Sequence, residues 1–190
     1  MLAYDAMIEK LQVSLSKKRF LHTLEVMNVA AALADHYQED IEKAKIAGLL
    51  HDCAKEYSDS LRTQLCKELH VPIDSVMQQS PHLIHSFLGA EIAKLEYKVE
   101  DEYILNAIRY HTTGRAKMTL LEKIIFLADY IEPTRVPFEG LDTVRRLAYL
   151  QIDQALYKAL DLTIHYVKSK KGILHPFTVQ AKEDLEQIVK

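Results

Sequence analysis

A chain of 190 residues with 48% apolar residues is long enough to bury a core without disulfides or metal staples, and five glycines with five prolines leave little material for loops. Its 24 basic and 27 acidic residues give a formal net charge of −3, which excludes the basic field of a protein whose main partner is nucleic acid. A phosphate-bearing partner would have to be met by a local basic cluster or by a metal.

The apolar spacing is helical almost throughout, and the predicted fold is an all-α helical bundle in one domain. A first helix is expected from about Ala3 to Leu15. Ser16 can cap a second, through His36, with Phe20, Leu24, Met27 and Ala31 on one face. Asp40 can cap a third that ends near Ala54. Ser58 or Asp59 opens a short fourth, which ends near His70 before the break at Val71-Pro72. Ser80-Pro81 reads as a cap followed by proline at the first helical position of a helix reaching about Tyr97. The next runs from about Asp101 to His111 and stops near Gly114. Another spans Leu120 to Ile131 and is ended by Pro133. A long helical region from Leu141 to Lys170 follows, then a loop from Lys171 to Pro176, then a last helix from about Thr178. No alternation of β-branched residues at period two suggests a sheet.

Two cysteines, Cys53 and Cys66, stand outside any CxxC spacing, so neither a disulfide framework nor a thiolate zinc site is expected. The stretch MLAYDAMIEK carries Asp5 and Glu9 and lacks the basic start and apolar run of a secretory leader. No apolar run approaches the roughly 18 residues of a membrane span. The expected setting is cytoplasmic, with no membrane partner.

The chemistry concentrates in a few of the nine histidines. His51 and Asp52 adjoin at the end of an apolar helix in GLLHDCAK, His22 lies on an apolar helix in RFLHTLEV, and Asp129 sits inside the apolar IIFLADYIEP. An ionised carboxylate buried alone is very costly, so Asp129 must be paired, exposed or bound to a cation. One divalent metal satisfies His22, His51, Asp52 and Asp129 together. Two imidazoles and two carboxylates suit iron, manganese, cobalt or zinc. A His-Asp dipeptide alone carries no weight. The ordered set H…HD…D on three helices resembles the HD-domain metal-dependent phosphohydrolases over about Arg19 to Pro133.

A closer resemblance spans nearly the whole chain. RFLHTLEV, AGLLHDCAKE, LIHSFLGAEIA with His85, AIRYHTTGR with His111, LADYIEPTR and KGILHPFTVQA together resemble the YqeK family of symmetrical bis(5′-nucleosyl)-tetraphosphatases. The resemblance implies cleavage of diadenosine tetraphosphate into two ADP with a divalent metal, iron first and manganese or cobalt next. It alone supplies adenine. The motif core then covers about residues 19–135, with the C-terminal helices completing the bundle and a nucleotide pocket.

Around that centre, His85 and His111 are candidates for phosphate contacts, for a proton donor, or for a second and weaker metal position bridged by Asp52. His82, three residues before His85, can share its helix face. Arg19, one turn before His22, and Lys55, one turn after His51-Asp52, can point into the same site. Arg135 follows Asp129 past the helix end, where a guanidinium suits phosphate. The family pattern further suggests that Gly172 and His175 lie over a nucleotide base. Asp52, His85 and His111 are the expected catalytic groups. Competing functions are another HD-type nucleotide phosphatase or phosphodiesterase, and a non-catalytic sensor of nucleotide or metal. Homodimerisation is left open.

Overall fold

The computed structural model describes residues 1–189, and among them are eleven α-helices and no strand. They are α1 (Tyr4–Ser14), α2 (Lys17–Tyr37), α3 (Ile41–Leu50), α4 (Asp59–Glu68), α5 (Ser75–Gln79), α6 (Ile84–Glu96), α7 (Glu102–Tyr110), α8 (Leu120–Ile131), α9 (Leu141–Ala148), α10 (Ile152–Ser169) and α11 (Pro176–Val189). No helix among the described residues is long and apolar enough to cross a membrane.

Several starts are set by the caps expected of them. Ser16, Asp40 and Ser58 accept from the backbone amides of Arg19, Lys43 and Leu61. Thr119 and Glu122 close a capping box at the head of α8. That helix is apolar on nearly every side, with Leu121, Ile124, Ile125, Phe126, Leu127 and Ala128 buried. A helix of that kind belongs at the centre. It packs on α2, α3, α7 and α10. The most extensive helix–helix contact is between α2 and α3. A Cβ on Gly48 would stand 2.9 Å from the Met27 Cα, so only glycine lets these two backbones meet so closely.

The structure departs from the expected elements in five places. The third helix ends at Leu50 rather than near Ala54. Residues 51–56 continue as tight turns, with the Cys53 amide on the Leu50 carbonyl at 3.1 Å and the Lys55 amide on the Asp52 carbonyl at 2.9 Å. The region from Leu141 to Lys170 is two helices. The amides of Leu150 and Gln151 both turn back onto the Leu147 carbonyl, and no glycine or proline marks the break. Ser80 makes no side-chain cap, and Pro81–Leu83 form one 3₁₀ turn before α6 begins. A short helix not expected at all, α5, is capped by Asp74. The last helix opens on Pro176 itself.

Candidate metal centre

Five elements deliver six histidines and carboxylates to a common point. His22 comes from the first half of α2, His51 and Asp52 from the turn that ends α3, His85 from the first turn of α6, His111 from the end of α7, and Asp129 from the last turn of α8. His51, Asp52, His85 and His111 are almost wholly buried. The early stop of α3 matters here. His51 and Asp52 are adjacent in sequence, and the tight turns after Leu50 let both side chains serve the same cluster.

The protons of the imidazoles are placed by backbone geometry. Nδ1 of His51, His85 and His111 lies 2.7, 2.5 and 2.7 Å from the carbonyls of Gly48, His82 and Ile108, each three residues earlier. A carbonyl only accepts, so each Nδ1 carries the proton and each Nε2 presents a lone pair to the centre. His22 has no such carbonyl. Its Nδ1 lies 3.3 Å from Oε1 of Glu132, a buried carboxylate whose other oxygen accepts from the amide and hydroxyl of Thr134 at 2.6 and 2.7 Å.

The inward atoms then face one another. His22 Nε2 is 3.2 Å from Asp129 Oδ1 and 3.9 Å from Asp52 Oδ2. His51 Nε2 is 3.5 Å from Asp52 Oδ2, and His85 Nε2 is 3.2 Å from His111 Nε2. Asp52 Oδ1 lies on the other side, 3.0 Å from His85 Nε2 and 3.6 Å from His111 Nε2, without the alignment of a hydrogen bond. His22 Nε2, His51 Nε2 and Asp52 Oδ1 are buried and have no hydrogen-bond partner. Buried acceptors left unpartnered and turned toward each other are costly, and a cation between them removes the cost. One ligand atom from each of His22, His51 and Asp129 lie within 4.8 Å of one another, and so do those of His51, Asp52 and His111. The residues present therefore fit a divalent metal with imidazole and carboxylate ligands.

Charge in the cluster fits as well. Burial opposes ionisation of Asp52, but the imidazoles of His51, His111 and His85 around it outweigh burial and hold the carboxyl well below its ordinary range. For Asp129, burial is likewise outweighed, by His22, His51 and Arg135, and the pKa is lowered. Burial pushes His85 down to about 4 despite the pull of Asp52, so its imidazole is neutral at ordinary pH.

Cationic side chains surround the carboxylates. Arg19 donates to Asp52 Oδ2 at 2.7 Å, and Arg135 donates to Asp129 Oδ1 at 3.2 Å and to the Asp129 carbonyl at 2.5 Å. Lys55 Nζ is 3.1 Å from His85 Nε2 and 3.8 Å from Asp52 Oδ1. A cavity of about 280 Å³ beside them is lined by Arg19, His22, Glu132 and Arg135, among others.

The remaining expected residues sit elsewhere or contribute differently. The side chain of His82 is exposed, and its contribution to the cluster is its carbonyl. The Gly172 amide closes the end of α10 on the Val167 carbonyl. His175 is buried against Phe87 and Phe177, with Nε2 2.9 Å from Asp74 Oδ2, and ties the start of α11 to α5. No described contact joins Gly172 or His175 to the imidazole cluster. Glu132 is the residue that sequence reasoning passed over. It was detectable: an acidic side chain at a helix C-terminus opposes the helix dipole and needs a local reason to be there.

A family model for the HD domain matches residues 19–134, the span that carries every histidine and carboxylate of the cluster. This chain belongs to the HD-domain family. The HD domain implies a divalent-metal site, and the cluster described here fits one. Two HD relatives named symmetrical bis(5′-nucleosyl)-tetraphosphatase are similar over most of their length. That of Bacillus subtilis is 42% identical over 86% of this chain and 87% of its own. That of Staphylococcus aureus is 37% identical over 87% of this chain and 85% of its own. A crystal structure from Clostridium acetobutylicum, described as a predicted HD superfamily hydrolase involved in NAD metabolism, superposes with a TM-score of 0.95. It is 41% identical and covers 99% of both chains.

Proposed function

We propose that this HD-domain chain is a symmetrical bis(5′-nucleosyl)-tetraphosphatase that cleaves diadenosine tetraphosphate into two ADP at a divalent metal held by His22, His51, Asp52 and Asp129. The observation that carries the reading is the buried convergence of these four groups beside Arg19, Lys55 and Arg135, in a chain whose relatives bear that name. Iron is the first choice of metal, with manganese and cobalt next, because the ligands are imidazole and carboxylate without thiolate.

A bound divalent metal would bring the pKa of a water toward neutrality and polarise a phosphoryl oxygen. The chain's own groups do the rest. Asp52 Oδ1, unpartnered and facing His85 and His111, accepts the proton of the attacking water. Arg19 and Arg135 orient the phosphoryl oxygens on the solvent side. Lys55, with its Nζ beside His85, meets the negative charge that develops on the departing diphosphate. Attack at either central phosphorus yields two nucleoside diphosphates. A second and weaker cation would lie between Asp52, His85 and His111, because the two oxygens of Asp52 face the two halves of the cluster.

The test is anaerobic purification, elemental analysis and product chromatography with diadenosine tetraphosphate and a nucleotide panel. Two ADP per substrate is expected. Loss of single phosphates, or opening of a cyclic nucleotide with the tetraphosphate untouched, would instead assign another HD-type reaction.

A further inference from the structure

We propose that the cavity between α4, α5 and the start of α6 is a binding site for an organic monocarboxylate with a compact apolar body. It holds about 730 Å³, a size that takes a small organic ligand, and it shares no lining residue with the cavity at Arg19 and Arg135. The site is thus separate from the metal centre and stands whatever that centre hydrolyses.

The cavity exists because α4 is loosely held. Its sequence is polar, Cys66 is its one buried residue, and it packs mainly on α6, with at most slight contact to α5. The gap this leaves is lined by the apolar side chains of Cys66, Val71, Ile73, Met77, Pro81 and Ile84. An apolar surface gathered in a cavity favours an apolar body that takes the place of water there. Pro81 and Ile84 flank the segment whose His82 carbonyl accepts from Nδ1 of His85, so an occupant would rest against the turn that orients one histidine of the cluster.

The polar side of the same cavity is arranged for a carboxylate. Arg62, Lys67 and His70 line it, against the single acid Asp59. The side chains of Lys67 and His70 are exposed and make no ion pair among the described residues. Arg62 donates through Nη1 to Asp59 Oδ1 at 2.9 Å and through Nη2 to the Tyr57 carbonyl at 2.9 Å, and its Nε–H is buried without an acceptor. A donor left so is costly. The Asp59 side chain is 91% exposed, and an ion pair so open to water contributes little and is easily given up. A ligand carboxylate can take the place of Asp59 and offer its second oxygen to Nε–H, since two adjacent N–H groups of a guanidinium match the two oxygens of a carboxylate. Lys67 adds a second positive charge at the same end, and the apolar body then lies along Met77, Pro81 and Ile84.

The experiment titrates metal-loaded protein with octanoate and, separately, with its neutral counterpart octanamide, and reads binding by saturation-transfer NMR. Octanoate is expected to bind the wild type at least about fivefold more tightly than octanamide. Arg62→Lys, which keeps the charge and loses the fork, and Lys67→Glu should each weaken octanoate about fivefold and leave octanamide within about twofold of wild type. Lys94→Glu, an equal change of charge on an exposed residue outside the cavity, should leave octanoate affinity unchanged. Absence of octanoate binding would overturn the proposal. So would equal affinity for octanoate and octanamide, which would make the cavity a merely greasy surface. Wild-type octanoate affinity in both Arg62→Lys and Lys67→Glu would place the carboxylate elsewhere, the metal centre included, and would overturn it too.

Discussion

Glu132 does for His22 what backbone carbonyls do for His51, His85 and His111: it accepts a hydrogen bond from Nδ1–H and turns Nε2 inward. Supporting groups of this kind affect metal affinity about 10- to 100-fold. Glu132→Ala should therefore weaken metal binding within that range, and Glu132→Gln, which still accepts through its amide oxygen, should lose less. Metal titration of apoprotein reads both, and equal affinities for wild type and Glu132→Ala would show that His22 is oriented by packing alone. His51→Ala and Asp52→Ala should lose the metal and nearly all turnover while far-ultraviolet circular dichroism stays helical. Retained metal in either variant would mean that the centre lies elsewhere. Arg135→Ala should raise KM for the polyphosphate and leave metal content near that of wild type. A charge-assisted phosphate contact contributes roughly 1.5–3 kcal/mol, so about a ten- to hundredfold loss in kcat/KM is expected. At this scale the ligand types were legible in the sequence, since His22, His51, Asp52 and Asp129 stand in apolar surroundings that demand a reason for them. Which nitrogen faces inward was not legible, because that depends on acceptors such as Gly48 and Glu132 brought up by the fold.

Helix contacts set the spacing of the cluster. Gly48 lies where α3 touches α2, its carbonyl orients His51, and the facing stretch of α2 follows His22. A methyl group there meets backbone at 2.9 Å, which packing cannot absorb without moving one helix. Gly48→Ala should destabilise the fold by about 1–3 kcal/mol in denaturant unfolding and weaken metal binding as well. Unchanged stability would show that α2 and α3 slide freely. Asp74 works at the other end of the molecule, capping α5 and holding His175. Burial opposes its charge, but the Met77 amide and His175 outweigh it, and the carboxyl is held below its ordinary range. A depressed folded-state pKa contributes stability above the unfolded value and loses it as pH falls through the folded one. Asp74→Asn should thus lower Tm near neutrality, and the gap to wild type should close below about pH 4. Because the side chain is half exposed, the effect is screened and should stay near the ~1 kcal/mol of a helix cap. A gap independent of pH would remove the charge from the account. The α5 cap escaped notice because Val71-Pro72 reads as a simple break, and the split after Ala148 because nothing local announces it.

Across the whole molecule, the core is continuous from α1 to α11 without the metal, with Met7 and Leu185 in one cluster. Removing the metal by chelation should therefore leave a folded, helical protein with a lower Tm, and added metal should restore Tm in proportion to the logarithm of its concentration. Complete unfolding on chelation would show that the metal, rather than the core, holds the bundle. Helix period, caps such as Ser16 and Thr119, and the all-round apolar α8 are local properties of the chain, so the sequence by itself determined an all-α bundle and its central helix. It also singled out the residues proposed as ligands, because a polar group within an apolar stretch declares itself wherever the stretch ends up. The tertiary structure alone decided that His85 and His111 meet 3.2 Å apart, that Glu132 stands behind His22, and that His175 binds Asp74 rather than the cluster. It also decided that Arg135 turns back onto Asp129. The first three are pairings between residues 26 to 110 positions apart, made by the way helices pack, and no local period or spacing encodes which distant neighbour a side chain will face.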